Sequence, residues 1–346
     1  MPLQEATPTK KIRTEMQFTT PVGLPLKDLK IGHRDNIILV GSCFAANIGS
    51  RLRDMKFSII QNPFGTQYNP MSIAAVLERI ADGSPFTVSS PEIFSHNGQW
   101  HSSMHHSEFS RNSKEELLNN INSRLAAAHR ATENCTTVII TLGTAYTYYR
   151  NSDNTIVGNC HKLPGSMFSR RLSCIDSITE NLSRIIELYL GINQDIRFIF
   201  TVSPIRHLRD GAHDNQKSKA TLLLAIDRVM QSYPHNTFYF PAYEIVLDEL
   251  RDYRFFAGDM VHPNDTAIEY LWECFGKCYF DERTMCANKE IEEVIRALEH
   301  RPFDASSPQY QEFIAATLKK ITAIEKKMPY LDFEKEKEQC NILLKK

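Results

Sequence analysis

Residues 36–45 read Asn36-Ile37-Ile38-Leu39-Val40-Gly41-Ser42-Cys43-Phe44-Ala45. A short unbroken apolar run ended by glycine describes a strand covered on both faces. Beyond it, Ile48, Leu52 and Met55 recur at spacings of four and three, which is one face of a helix. Strand, tight turn and helix make the repeating unit of an α/β fold. Here the turn carries a serine and a cysteine.

The same alternation continues downstream. Leu117, Leu118, Ile121 and Leu125 predict a helix, followed by a second buried strand over residues 138–143. Ile178, Leu182, Ile185, Ile186 and Tyr189 mark another helix, stopped by Gly191. Residues 196–202 read as a third strand, 222–230 as a helix and 237–240 as a short fourth strand. Strands alternating with helices predict a parallel sheet with helices on both faces. Residues 1–35, punctuated by Pro2, Pro8, Pro21 and Pro25, read as an irregular arm. Residues 84–112, rich in Ser, His and Asn, suit a lid or insertion. The expected division is an α/β domain over 1–286 and a charged helical appendage, or partner-contacting tail, over 287–346. No internal repeat is visible.

Composition narrows the function. Hydrophobic residues make up 42% and charged residues 23% of the 346, as in ordinary globular chains. A net charge of −1 and the lack of a basic block give no reason to expect nucleic acid or an anionic membrane as partner. The first 20 residues hold no apolar run like the core of a signal peptide. No later stretch approaches the roughly 18 apolar residues of a span. Eight scattered cysteines imply free thiols in a reducing compartment, hence a cytoplasmic protein. Neither a Gly-x-Gly-x-x-Gly fingerprint nor a Walker-type loop occurs, so no nucleotide or redox cofactor is expected.

In an open parallel sheet, ligands bind beyond the carboxyl ends of the strands. Ser42 and Cys43 follow the first strand; Gly143, Thr144 and Tyr146 follow the second; Ser203, Arg206 and His207 follow the third. A thiol at a helix N-terminus sits among unpaired amides that favour a thiolate and can hold an oxyanion. A hydroxyl there needs an adjacent base. Asp259 and His262, three apart before a helix opening at Asn264, suit a carboxylate orienting an imidazole. Plainer readings stand beside these: Cys43 as a small buried hydrophobe, Ser42 as a helix cap, His262 as a turn residue. Arg206 and His207 suit an anionic or hydroxyl-rich group, or a structural ion pair. His101, His105 and His106, with His96 nearby, suggest either a metal-dependent hydrolase or a polar loop, and the expectation is no metal. Cys274 and Cys278 read as core positions of the helix after Asn264.

Gly41-Ser42-Cys43-Phe44-Ala45 resembles the signature of the GSCFA-domain family, a bacterial family similar to the SGNH/GDSL hydrolases. Further matches are residues 62–70 (Asn62-Pro63-Phe64-Gly65-Thr66-Gln67-Tyr68-Asn69-Pro70), 141–144, 160–164 (Cys160-His161-Lys162-Leu163-Pro164) and 203–207. The resemblance runs over roughly residues 15 to 285. It implies a three-layer, flavodoxin-like α/β/α fold and hydrolysis of esters or acyl groups. Laid on the Gly-Asp-Ser-Leu block of those hydrolases, Gly41 meets Gly, Ser42 meets Asp, Cys43 meets the nucleophile and Phe44 the apolar residue. A shift of one residue makes Ser42 the nucleophile instead. The resemblance further implies Asp259 and His262 as the rest of the triad, and the amides of Cys43 and Gly65 as oxyanion donors. The third block departs: Gly143-Thr144-Ala145 lacks the amide-bearing Asn, leaving Thr144 to donate its hydroxyl or amide. Asn62, Tyr68, Tyr146, His161, Arg206 and His207 are expected along the cleft. The implied function is an acyl hydrolase or acyltransferase acting on a small-molecule or saccharide ester, with oligomeric state open. The alternative is a non-catalytic ligand-binding module using the same cleft.

Overall fold

The computed structural model describes residues 19–25 and 29–345. Residues 1–18 and 26–28 of the expected arm therefore lie outside the described residues. In chain order, β1 (Asn36–Gly41) feeds α1 (Cys43–Asp54), and β2 (Ser58–Gln61) feeds α2 (Pro70–Asp82). A hairpin of β3 (Ile93–His96) and β4 (Gln99–Ser102) precedes α3 (Lys114–Thr132) and β5 (Thr137–Leu142). Three short strands, β6 (Tyr146–Arg150), β7 (Ile156–Val157) and β8 (Phe168–Leu172), come before α4 (Ile175–Ile192). Then follow β9 (Arg197–Val202), α5 (Gly211–Ser232), β10 (Thr237–Tyr239) and the single turn α6 (Ala242–Glu244). Helices α7 (Asp265–Tyr279), α8 (Glu282–Glu299), α9 (Pro308–Lys327) and α10 (Glu334–Leu344) end the described chain.

The main sheet runs β10-β9-β5-β1-β2, every neighbouring pair parallel. Counted along the chain, its strands stand in the order 2-1-3-4-5, the flavodoxin-like arrangement. Successive side chains of a strand point to opposite faces, so each strand feeds two cores. Ile37 and Leu39 join α1, α7, α8, α9 and α10 on one face. Ile38 and Val40 join α2, α3, α4 and α5 on the other. The parallel sheet covered on both faces is thus as the sequence predicted. Buried Ile291, Ile314, Ile321, Ile324 and Cys340 put the three C-terminal helices in the same apolar cluster as β1 and α1. Cys274 and Cys278 are buried there too, and all eight cysteines are free. No helix among the described residues is long and apolar enough to cross a membrane.

Some elements differ from the sequence reading. Helix α4 runs through Gly191 to Ile192 and is capped at Asn193. Helix α5 begins at Gly211, well before Leu222, because its first turns are polar and show no apolar period. Residues 84–112, read as a lid or insertion, hold the β3–β4 hairpin and a 3-10 turn, Ser107–Phe109.

Candidate active site

Strand β1 leads to a helix on one face of the sheet, and its neighbour β5 leads on to α4 on the other. The crevice that opens where connections diverge is the expected ligand site of such a sheet. A cleft of about 360 Å3 lies there, with Ser42, Cys43, Tyr68, Thr144, His207 and His262 among its walls. Tyr146 and Arg206 line it as well.

Cys43 is the first residue of α1, half-buried, its Sγ 3.8 Å from the Tyr68 hydroxyl. Burial, then the neighbouring thiol, raises the Tyr68 phenol, so it stays protonated and is able to donate to the sulfur. The first amides of a helix have no intrahelical acceptor, so α1 presents free N–H groups and a positive dipole end at Cys43. Ser42 occupies the N-cap position, yet its side chain makes no cap bond, and its buried Oγ has no partner among the described residues.

Across the cleft, His262 Nδ1 lies 2.5 Å from Asp259 Oδ2. Asp259 Oδ1 also accepts the backbone amides of Val261 and His262, each at 2.9 Å. These amides and the imidazole bond hold its carboxyl down to about 2. The carboxylate therefore fixes both the turn and the ring, leaving Nε2 as the free nitrogen. No hydrogen bond joins His262 to Cys43 among the described residues.

His207 is a second imidazole in the cleft. Burial and then the Lys219 charge pull it down to about 4, so it is neutral at pH 7. Its buried Nε2 has no partner. A Cβ built on Gly143 would stand 3.2 Å from that nitrogen and 3.5 Å from Ser42 Cβ, so the bare glycine brings imidazole and serine together. Lys219 lies beneath, donating to the carbonyls of Gly143 and Ser203 at 2.7 Å each and tying the ends of β5 and β9. Burial lowers its ammonium to about 7. Arg170 pairs with Asp210 at 2.7 Å and lies 4.0 Å from the Tyr146 ring centroid.

Several expected site residues stand elsewhere. The Gly65 amide donates to the Asn62 carbonyl at 2.8 Å, and its Cα faces His106 and Glu108, so it is not an oxyanion donor in this geometry. The amides of Gly143 and Thr144 both donate to the Tyr68 carbonyl, and Thr144 Oγ1 bonds Ser218 Oγ. Those donors are occupied. Asn62 Oδ1 accepts the Gly41 amide at 2.9 Å, a structural role outside the cleft. His161 is buried under the hairpin, its Nε2 on the Ser102 carbonyl.

Sequence reasoning did not single out Lys219, Arg170, Arg209 or Asp210. For Lys219 a signal existed: Asn215, Ser218 and Lys219 continue the buried stripe of Leu222, Ala225, Ile226 and Val229 in polar residues. A buried stripe that turns polar at one end marks where a helix meets a site.

The histidine-rich hairpin holds no metal geometry; no group of three or more His, Cys, Asp or Glu side chains among the described residues is placed to hold an ion. His101 bonds Ser110, and His105 stacks on Phe64 at 4.1 Å with Nδ1 on Ser102 Oγ. Burial drives His105 down to about 3. Between pH 6.5 and that value the unfolded chain holds a proton that the folded one refuses, so stability falls as pH falls. By pH 4 the loss should be on the order of 3 kcal/mol. Urea midpoints at pH 7 and pH 4 should separate clearly in wild type and less in His105→Phe, which keeps the aromatic packing without a titrating nitrogen. An unchanged separation would refute the assignment.

The GSCFA family model matches residues 36–275, and a model described as the GSCFA domain protein C-terminal domain matches residues 291–346. No curated protein matches. Among solved structures the chain is similar to a carbohydrate esterase family 2 enzyme plus carbohydrate binding domain from Corynascus thermopiles (Myceliophthora fergusii). The identity is 14%, the coverage 78% of this chain and 68% of that one, and the TM-score 0.35.

Proposed function

The chain belongs to the GSCFA family, and we propose that it is an SGNH-like acyl hydrolase or acyltransferase forming an acyl-enzyme on Cys43. The observation that carries this reading is the Asp259–His262 pair lining one cleft with a thiol at the head of α1. Cys43 gives its thiol proton to His262 Nε2 as Sγ attacks the acyl carbonyl, forming the C–S bond. Collapse expels the alkoxide, which takes its proton from His262 Nε2. His262 then deprotonates water or a second acceptor, whose attack breaks the C–S bond and frees the thiol. The oxyanion faces the Cys43 amide. In place of the missing third-block Asn, neutral His207 is a partnerless group able to offer a second N–H there. An acylated saccharide suits the aromatic wall of Tyr146 and Tyr148.

Short-chain 4-nitrophenyl esters and acyl thioesters provide the test, read by intact mass and by release kinetics. Wild type and Ser42→Ala should acquire one acyl group, and Cys43→Ala none. An adduct that persists in Cys43→Ala and vanishes in Ser42→Ala moves the nucleophile to Ser42. If no ester or thioester leaves an adduct or turns over, and Cys43 alkylates slowly, the protein is a binding module. The occupied amides of Gly65, Gly143 and Thr144 are the observation on that side.

A further inference from the structure

The cleft's charge is lopsided. Its lining carries three arginines, Arg170, Arg206 and Arg209, and one acid, Asp210. That acid is already matched: Arg170 holds it at 2.7 Å, and the Asp210 side chain is only 3% exposed. Arg206 and Arg209 pair with no carboxylate among the described residues. Arg206 rests 5.4 Å from the Phe256 ring centroid, its buried Nε without a partner. The two imidazoles of the cleft offer no counter-charge.

This excess is local. The whole chain balances 40 basic against 41 acidic residues, so two unmatched guanidinium groups in one concavity are not overflow from a basic protein. Arg206 is half-buried and Arg209 exposed, and in a concave site such like charges repel until a ligand anion joins them. Arginine's planar fork matches a carboxylate or phosphate in two parallel bonds, whereas a lysine would act as a point charge. The pair also stands next to the reacting groups, because Arg206, His207 and Arg209 leave the sheet together after β9.

We propose that the cleft contains an anion subsite in which Arg206 and Arg209 hold a carboxylate or phosphate on the molecule whose acyl group is transferred. With Tyr146 and Tyr148 as wall, this defines the alcohol part of that acyl donor as an acidic saccharide: a uronic acid or a sugar phosphate. The substrate role rests on the acyl-transfer reading; the anion site itself does not.

Two measurements separate the claims. The first compares kcat/KM for 4-acetoxybenzoate and 4-acetoxybenzamide, esters that differ in one charge. The carboxylate should be favoured about tenfold. The preference should shrink with added salt and fall to near one in Arg206→Gln/Arg209→Gln. Arg130→Gln, on the exposed face of α3, should keep it. Equal turnover of the two esters by wild type leaves the acyl reading standing and overturns the subsite.

The second measurement is calorimetric titration with D-glucuronate, D-glucose 6-phosphate and D-glucose. If both esters are inert, the acyl reading fails and the titration alone decides. Tighter binding of either anionic sugar than of glucose, lost in the double variant, upholds the subsite and names its anion. No preference over glucose refutes it.

Discussion

Gly41→Ala is expected to cost at least about 4 kcal/mol and to leave little folded protein, the mark of a clash with no room to relax. Gly41 has φ +147, and an added Cβ would sit 2.3 Å from the Thr141 carbonyl oxygen and 2.8 Å from its amide nitrogen. Both are backbone atoms of the strand paired with β1, where Gly41 stands opposite Thr141. Neither can swing aside as a side chain would. The surrounding bonds fix the position further: the Gly41 amide donates to Asn62 Oδ1, its carbonyl accepts the Gln67 amide, and the Ser42 amide donates to Thr141. Relief therefore means parting β1 from β5 at the floor of the cleft. Gly191→Ala is the contrast, since nothing lies within 4 Å of its added methyl and it sits inside α4. That change should stabilise by up to roughly 1 kcal/mol. Urea unfolding of both variants checks the pair, and a Gly41→Ala protein within about 1 kcal/mol of wild type would refute the close approach.

What the sequence made legible follows from how each element is buried. β1, β5 and β9 are covered on both faces, so their apolar runs stand out. β2 is an edge strand with no fully buried residue, and Ser58-Ile59-Ile60-Gln61 is too short and too polar to announce itself. α2 failed to show for the opposite reason: Met71, Ser72, Ile73, Ala74, Val76, Leu77 and Ile80 are buried on nearly every side, which erases a one-faced period. Its start was nonetheless written in Asn69-Pro70, a cap and a first-turn proline.

The candidate site divides the same way. Ser42, Cys43 and His262 lie in local motifs, and each lines the cleft, with Asp259 bonded to His262. Arg170 reaches it from β8, and Lys219 braces its floor from α5, placements set by the packing of distant segments. Gly65 shows the limit of motif transfer. It sits in a loop that resembles the hydrolase block, but its amide closes a turn on Asn62 instead of facing the nucleophile.

Asp259→Asn should lower kcat/KM by about ten-thousandfold while the fold survives, an effect comparable with orienting carboxylates in triads elsewhere. The asparagine carbonyl can still accept the amides of Val261 and His262, so the turn before α7 remains. Its NH2 group, however, now faces His262 Nδ1, where the carboxylate oxygen stood at 2.5 Å. That nitrogen must become an acceptor, and the ring proton moves to Nε2, the atom that has to take a proton during the reaction. Nitrogen NMR of His262 should report the switched tautomer directly. Kinetics then tell which half-reaction needs the base. If the head of α1 keeps Cys43 ionised without help, Asp259→Asn should still show a full first burst from a 4-nitrophenyl ester, followed by a stalled second phase. If His262 must first deprotonate the thiol, the burst slows as well. Activity within about threefold of wild type, with the tautomer switched, would remove the Asp259–His262 pair from the chemistry and the acyl-transfer reading with it.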